Sequence, residues 1–280
     1  MKTLHVDSGR EMQGGQWQVL YLVEALEDAS LMLRTDSGFQ RLAGVKHEDL
    51  SMMALARLAR EVDLVHAHTA RAHAMAAIAG GAPLVVSRRV GFPIKRSLAS
   101  RWKYRRADAY LAVSRYVVDQ LEKAGANNVR LVYDGVSVPK NVSTREPGCV
   151  VALASKPVEI PGIPVHLTSD LWKDLETASV FVYRSEMEGL GSAALAAQAA
   201  GVAVIASNVG GLPEAIEHER TGVLVDNDQF EPAIRRLLAN PKEAEEMGLR
   251  GRERVEKNFT IDIMVEKTKH VYEEVMRWSR

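Results

Sequence analysis

The chain reads as α/β, two doubly wound, Rossmann-like parallel-sheet domains facing across a cleft. Three observations predict it. Short apolar runs alternate with helical patterns along the whole sequence, which calls for open parallel sheets covered on both faces. The stretch 134–148 interrupts that alternation with Gly135, Pro139, Asn141, Ser143 and Pro147, a linker composition. Two neighbouring strand-to-helix turns in the second half are rich in glycine, one from Ser185 to Ser192 and one from Gly210 to Glu214. A helix that starts at such a turn points unpaired N–H groups and a partial positive charge outward, which suits an anion such as a diphosphate.

In order, a strand at 4–7 feeds a loop containing Gly14 and Gly15, and an amphipathic helix is expected over 16–27. A strand at 31–34 and an ambiguous stretch at 36–46 follow. Leu50, Met53, Ala54, Arg57 and Leu58 recur at helical spacing, so 49–60 reads as a helix. Strands are expected at 63–68, 83–87, 109–113 and 129–133. Helices are expected at 71–79, at 93–106, and from the Ser114 cap to Ala124. The boundaries follow as 1–138 for the first domain and 139–258 for the second, whose start is short and rich in proline. A terminal helix over 259–280 is expected to cross back. In the second domain, Val180 to Tyr183 is a buried parallel strand, Ser192 to Ala200 a helix of small residues closed by Gly201, and 203–206 a further strand.

Composition narrows the function. There are 36 Lys and Arg against 36 Asp and Glu, a net charge of zero that gives no general pull towards nucleic acid. The single cysteine, Cys149, begins an apolar run and reads as a buried small hydrophobe. No apolar run approaches the length of a spanning helix, and the first residues read as a strand and turn rather than a signal peptide. A cytoplasmic protein is expected. His66 and His68 alternate on one strand and are expected on opposite faces. With no Cys or Asp to complete a ligand set, no metal is expected there. The acid-free run Lys95, Arg96, Arg101, Lys103, Arg105 and Arg106, with Trp102 and Tyr104 interleaved, has two main readings. One is a solvated helix face. The other is a peripheral contact with an anionic membrane or a lipid-linked acceptor. Gly189-x-Gly191-x-x-Ala194 fits the dinucleotide fingerprint, but it lies too far from its strand and lacks the acid about twenty residues on.

The residues together resemble glycosyltransferase family 4, the retaining, nucleotide-sugar-dependent enzymes of the GT-B fold. Gly14-Gly15 resembles the family's glycine loop, Asp63-Leu64-Val65-His66-Ala67-His68 its D-h-h-H-x-H strand, and 107–121 its A-D-x-h-h-x-V-S run. Val132 to Val136 resembles its turn before the linker. Ser185 to Gly191 matches S-x-x-E-G-h-G, and Val209 to Val225 matches G-G-x-P-E followed by T-G-h-L-V. The chain departs in three places. Position 196, where the family has the second acid of E-x7-E, is alanine. The early R-x4-K pair is missing, with Lys156 the one lysine between Cys149 and Leu171. Arg88 and Arg89 stand where the family often has histidine.

The resemblance implies a hexosyltransferase that moves a sugar from a nucleotide-diphosphate donor with retention, in cell-surface polysaccharide synthesis. The acceptor would be a saccharide or a lipid-linked saccharide. No cofactor beyond that donor and no nucleic acid partner is implied. Glu188 would hydrogen-bond the sugar, and backbone N–H groups of Leu190, Gly191 and Ser192 would stabilise the leaving diphosphate. Arg89 is expected to act with Lys156 or Arg184 in place of the missing cations. Gly14, Gly15, Arg88 and Gly189 complete the expected diphosphate contacts. His66, His68, Gly135, Gly210, Gly211 and Glu214 are expected to line the cleft. The alternative is a degenerate, non-catalytic nucleotide- or glycan-binding protein of the same fold.

Overall fold

Strand β1 (Thr3–Val6) is buried at every position, and so are β4 (Leu64–Ala67) and β6 (Ala109–Ala112). That is the mark of parallel strands covered on both faces. Between them run α1 (Gly14–Glu24), β2 (Ala29–Leu33), β3 (His47–Asp49), α2 (Met52–Leu58), α3 (Ala70–Ala79), β5 (Leu84–Arg88) and α4 (Leu98–Tyr104). After β6 come α5 (Arg115–Lys123) and β7 (Val129–Leu131). The computed structural model describes residues 1–41, 47–95 and 97–278. Residues 42–46 of the ambiguous 36–46 stretch and Arg96 therefore lie outside the described residues.

The seven strands form one parallel sheet in the order β3-β2-β1-β4-β5-β6-β7. The order reverses between β1 and β4, which opens a crevice at the C-terminal ends of those two strands. Four helices begin at a Ser or Thr whose hydroxyl accepts the N–H three residues on: Ser51, Thr69, Ser97 and Ser114. The last helix, α11 (Ile261–Trp278), belongs to this same unit, which consists of Met1–Tyr133 with Ile261–Arg280. Its Met264, Val265, Val271, Tyr272 and Val275 share a core with Leu22, Leu64, Val85 and Leu111.

Asp134–Thr260 forms the other unit. It holds β8 (Val150–Leu153), β9 (Val165–Thr168), α6 (Leu171–Leu175), β10 (Val180–Tyr183), α7 (Ser192–Ala199) and β11 (Ala203–Ser207). Then follow α8 (Leu212–Ala215), β12 (Val223–Val225), α9 (Phe230–Ala239) and α10 (Pro241–Asn258). Its five parallel strands take the order β12-β11-β10-β8-β9, with the reversal between β8 and β10. Helix α10 crosses close because position 248 is glycine: a Cβ there would lie 2.0 Å from the Gly201 carbonyl oxygen.

Several sequence expectations need correction. Gly14 and Gly15 are the first residues of α1 rather than a loop, and that helix stops at Glu24. The helix expected over 49–60 is shorter, because His47–Asp49 pairs with β2 as an edge strand. Helix α4 begins only after Ser97, leaving 91–95 extended or bent. Cys149 is half-buried, not buried, just before β8.

Candidate functional site

In the Asp134–Thr260 unit the reversal between β8 and β10 brings two loops together. The loop after β8 carries Lys156 and the loop after β10 carries Glu188. Lys156 Nζ lies 2.7 Å from Glu188 Oε2, 2.8 Å from Ser185 Oγ and 3.0 Å from the Tyr183 hydroxyl. The hydroxyl of Tyr183 donates to the same Glu188 oxygen at 2.7 Å, and the ammonium also sits over the Tyr183 ring. The backbone N–H of Gly189 donates to Glu188 Oε1. Burial, and then the Glu188 charge, push the Tyr183 phenol well above its ordinary range, so it stays a donor. The Lys156 and Glu188 side chains keep 26% and 19% of their surface, so the ion pair faces an opening rather than the core.

The two glycine turns interlock beneath this pair. Gly210 has φ +57, and a Cβ on it would fall 2.1 Å from the Glu188 carbonyl oxygen. Gly211 N–H donates to that carbonyl at 3.2 Å. Gly191 has φ +98 and would clash with Leu212 if it carried a side chain. Glycine is the residue that fits both positions. Gly191 is the N-cap of α7 and supplies no side-chain acceptor, so the first-turn N–H groups of Ser192 to Ala194 receive no side-chain cap. An ammonium, a carboxylate and an uncapped helix start thus meet at the C-terminal ends of β8 and β10. The arrangement can hold an anion and present a hydrogen-bond acceptor beside it.

Other expected residues of this unit lie apart from the cluster. Arg184 is exposed and bonded to Asn227. Ala196 is buried in α7. Glu214 lies in α8, its carbonyl held by Arg254. Gly135 is buried beside the Val136–Thr260 bridge. Tyr183 and Ser185 were missed from sequence. The available signal was a tyrosine closing an apolar strand directly before a polar turn.

The sheet reversal between β1 and β4 holds a second cluster. Arg89 Nη1 donates to His68 Nδ1 at 3.1 Å, His68 Nε2 meets His5 Nδ1 at 3.0 Å, and His5 Nε2 meets Thr3 Oγ1 at 3.2 Å. A guanidinium only donates, so His68 carries its proton on Nε2 and donates from there to His5 Nδ1. His5 in turn donates to Thr3. His66 lies between the Tyr272 hydroxyl at 2.5 Å and Ser87 Oγ at 2.8 Å. Burial first, with Arg89 contributing, lowers His5 to about 3 and holds His66 and His68 well below the imidazole range. The three rings are therefore neutral. Gly15 lies alongside: a Cβ there would be 3.9 Å from Arg89 Cδ. Arg88 points elsewhere, bonding the Tyr104 hydroxyl and the Phe92 carbonyl.

Two sequence expectations are overturned here. His66 and His68 do not lie on opposite faces: residues two apart on a strand share a face, and their ring centroids are 3.9 Å apart. His5 supplies the third member of a ligand set that had been held incomplete, with nitrogens of all three histidines within 4.8 Å of one another. Both ring nitrogens of each histidine already have a partner among Thr3, Ser87, Arg89, Tyr272 and the neighbouring imidazole.

Comparison with known proteins agrees with both units. Residues 40–139 match the Glycosyltransferase Family 4 model, and residues 164–254 match the model of Glycosyl transferases group 1. The chain is 38% identical over 122 residues to alpha-maltose-1-phosphate synthase of Mycolicibacterium smegmatis, covering 40% of this chain and 31% of that protein. It is 42% identical over 85 residues to a GDP-mannose-dependent phosphatidylinositol monomannoside mannosyltransferase of Mycobacterium tuberculosis, covering 29% of this chain and 22% of that one. The chain thus spans a third or less of the length of these curated relatives. Among solved structures, HepE of Anabaena, bound to UDP and glucose, superposes with a TM-score of 0.84 at 15% identity, over 98% of this chain and all of that one. Sucrose-phosphate synthase of Thermosynechococcus elongatus superposes with a TM-score of 0.72 at 17% identity, over 99% and 100% of the two chains. With one family model matched largely in each parallel-sheet unit and the sheet order of both units in place, the chain belongs to the group 1, family 4 glycosyltransferases of GT-B fold.

Proposed function

We propose that the protein is a retaining hexosyltransferase that takes a sugar from a nucleotide-diphosphate donor and passes it to a saccharide or lipid-linked saccharide in cell-surface polysaccharide synthesis. One observation carries the reading: Lys156, Tyr183 and Glu188 converge at the sheet reversal beside the uncapped start of α7. An incoming diphosphate competes with Glu188 for the Lys156 ammonium and takes the N–H groups of 190–192. Glu188 is then released on that side to accept from a sugar hydroxyl, while Tyr183 keeps its orientation. As the bond from anomeric carbon to phosphate oxygen breaks, charge builds on the diphosphate. Lys156 and the helix start are placed to stabilise it. On the front-face route the departing phosphate oxygen takes the acceptor's proton, so no protein nucleophile is required. In the first unit Arg89 lies beside the reversal between β1 and β4, and we propose that it contributes to turnover.

A second reading, a non-catalytic binder, is favoured by Ala196, which is buried and offers no acceptor for a ribose hydroxyl. The two separate in a donor panel. UDP-sugars come first because HepE is seen with UDP and with UDP-glucose. GDP-mannose follows because the Mycobacterium tuberculosis relative uses it. Nucleotide release by the purified protein, lost in Glu188→Ala, supports the enzyme. Nucleotide binding by calorimetry with no release from any donor supports the binder. Lys156→Met is expected to weaken donor affinity by roughly 10–100-fold, the loss of one charge-assisted contact. Arg89→Ala is expected to lower turnover, and unchanged donor affinity and turnover would remove it from the reaction.

A further inference from the structure

Residues 88–106 carry eight Lys or Arg and no Asp or Glu, in a chain whose charges otherwise balance. The same segment holds Val90 at 45% exposure, Phe92 at 61%, Leu98 at 84% and Trp102 at 48%. These apolar side chains are exposed on a backbone that is tied down. Arg88 bonds the Phe92 carbonyl, and the Tyr116 hydroxyl donates to the Gly91 carbonyl. Helix α4 rests on Tyr104, which is buried against His73 and stacked on Tyr110, and the Tyr110 hydroxyl donates to the Tyr104 carbonyl. With Tyr104 turned inward, Leu98, Arg101, Trp102 and Arg105 fall at i, i+3, i+4 and i+7 and share the exposed face.

We infer that this face docks on an anionic lipid surface, with Phe92, Leu98 and Trp102 entering the boundary between headgroups and acyl chains and Arg101 and Arg105 meeting the lipid phosphates. Apolar side chains flanked by cations are the pattern of an interfacial segment. A second copy of the chain fits poorly, because a two-fold contact would set this acid-free cationic face against itself. Nucleic acid would take the charge and the aromatic rings but leaves Leu98, the most exposed of these side chains, without a role. Docking rests on the proposed function only for its purpose: Arg89 lies at the start of the segment, so the strand ends beside it would lie close to a lipid-linked acceptor.

The test needs no donor or acceptor, so its outcome is independent of glycosyl transfer. Co-flotation is measured with phosphatidylcholine vesicles and with vesicles of equal parts phosphatidylcholine and phosphatidylglycerol. The wild type is compared with a Leu98→Ser, Trp102→Ser double variant, an Arg101→Gln, Arg105→Gln double variant, and Leu249→Ser as a control on exposed apolar surface in the other unit. Partition onto the anionic vesicles is expected to exceed that onto neutral ones by about tenfold or more. Each double variant should lose about tenfold, and the control should match the wild type. Vesicles should shift the tryptophan emission of the wild type to the blue, and less so in Trp102→Phe. No partition onto anionic vesicles would overturn the proposal. So would partition that both double variants retain, self-association through Leu98 and Trp102 without lipid, or a single-stranded oligonucleotide that binds the Leu98→Ser, Trp102→Ser variant as tightly as the wild type while vesicles bind neither.

Discussion

Lys156, Tyr183 and Glu188 form a unit in which each group fixes another. Removing the ammonium leaves the Glu188 carboxylate with one phenol and one backbone N–H, so Lys156→Met is expected to destabilise the fold by about 1–2 kcal/mol, measured by urea unfolding. Tyr183→Phe removes a neutral donor and should cost about 1 kcal/mol. The buried imidazoles give a pH dependence of definite sign. His5 and His73 are lowered to about 3, His73 by burial and then Lys103. Below about pH 6.5 the unfolded chain binds protons that the folded chain refuses. Their stabilisation is complete above about pH 6.5 and is lost as the pH falls towards about 3, by up to ~1.4 kcal/mol per pH unit for each such histidine. Urea midpoints at about pH 7.5 and about pH 5 check this, and His5→Asn should flatten the difference. Glu188 was legible in sequence because its whole turn resembles a known one. His5 was not, since its partner His68 lies 63 positions away and only the pairing of β1 with β4 joins them. The two-residue spacing of His66 and His68 at the end of one strand was visible, and residues two apart on a strand share a face, as observed.

At the level of elements, the glycines at close crossings decide geometry. Gly210→Ala places a Cβ 2.1 Å from the Glu188 carbonyl in a left-handed backbone. It should cost about 1–3 kcal/mol and weaken donor binding together with stability, since the clash lies on the backbone of Glu188. Gly248→Ala separates two opposing effects. Alanine gains about 1 kcal/mol of helix propensity over glycine, while a Cβ 2.0 Å from the Gly201 carbonyl forces α10 off β11. Overpacking is expected to win, with a net loss of about 1–2 kcal/mol and a lower urea midpoint. Helix starts were legible where a hydroxyl caps them, as at Ser114. Strand β3 was not, because His47–Asp49 is exposed at every position and has no apolar residue to show a period of two. Helix α4 starts later than expected because Ser97 is its cap, its hydroxyl accepting the Ser100 N–H.

At the scale of the molecule, the parallel-sheet class was legible because buried strands such as Val180–Tyr183 and Ala109–Ala112 are unbroken apolar runs. What remained hidden is which strand neighbours which, a property of crossovers rather than of any local run. The core of the first unit depends on residues far along the chain. Deleting 261–280 uncovers Leu22, Leu64, Val85 and Leu111 and removes Met264, Val265, Val271, Tyr272 and Val275 from their core. At about 1.5–3 kcal/mol per buried side chain the loss is on the order of 10 kcal/mol, comparable to the whole stability of a domain. The truncated chain is expected to bind a hydrophobic dye, while Asp134–Thr260 expressed alone, with its own core, is expected to melt cooperatively. The same connectivity sets an order of events at the ribosome. The unit whose synthesis starts first is the last whose sequence is complete, because Asp134–Thr260 must be translated before α11 emerges. At about 5–20 residues per second that interval is roughly 6–25 seconds. Throughout it the nascent sheet carries an open apolar seat, which exposes it to chaperones and to aggregation until α11 arrives.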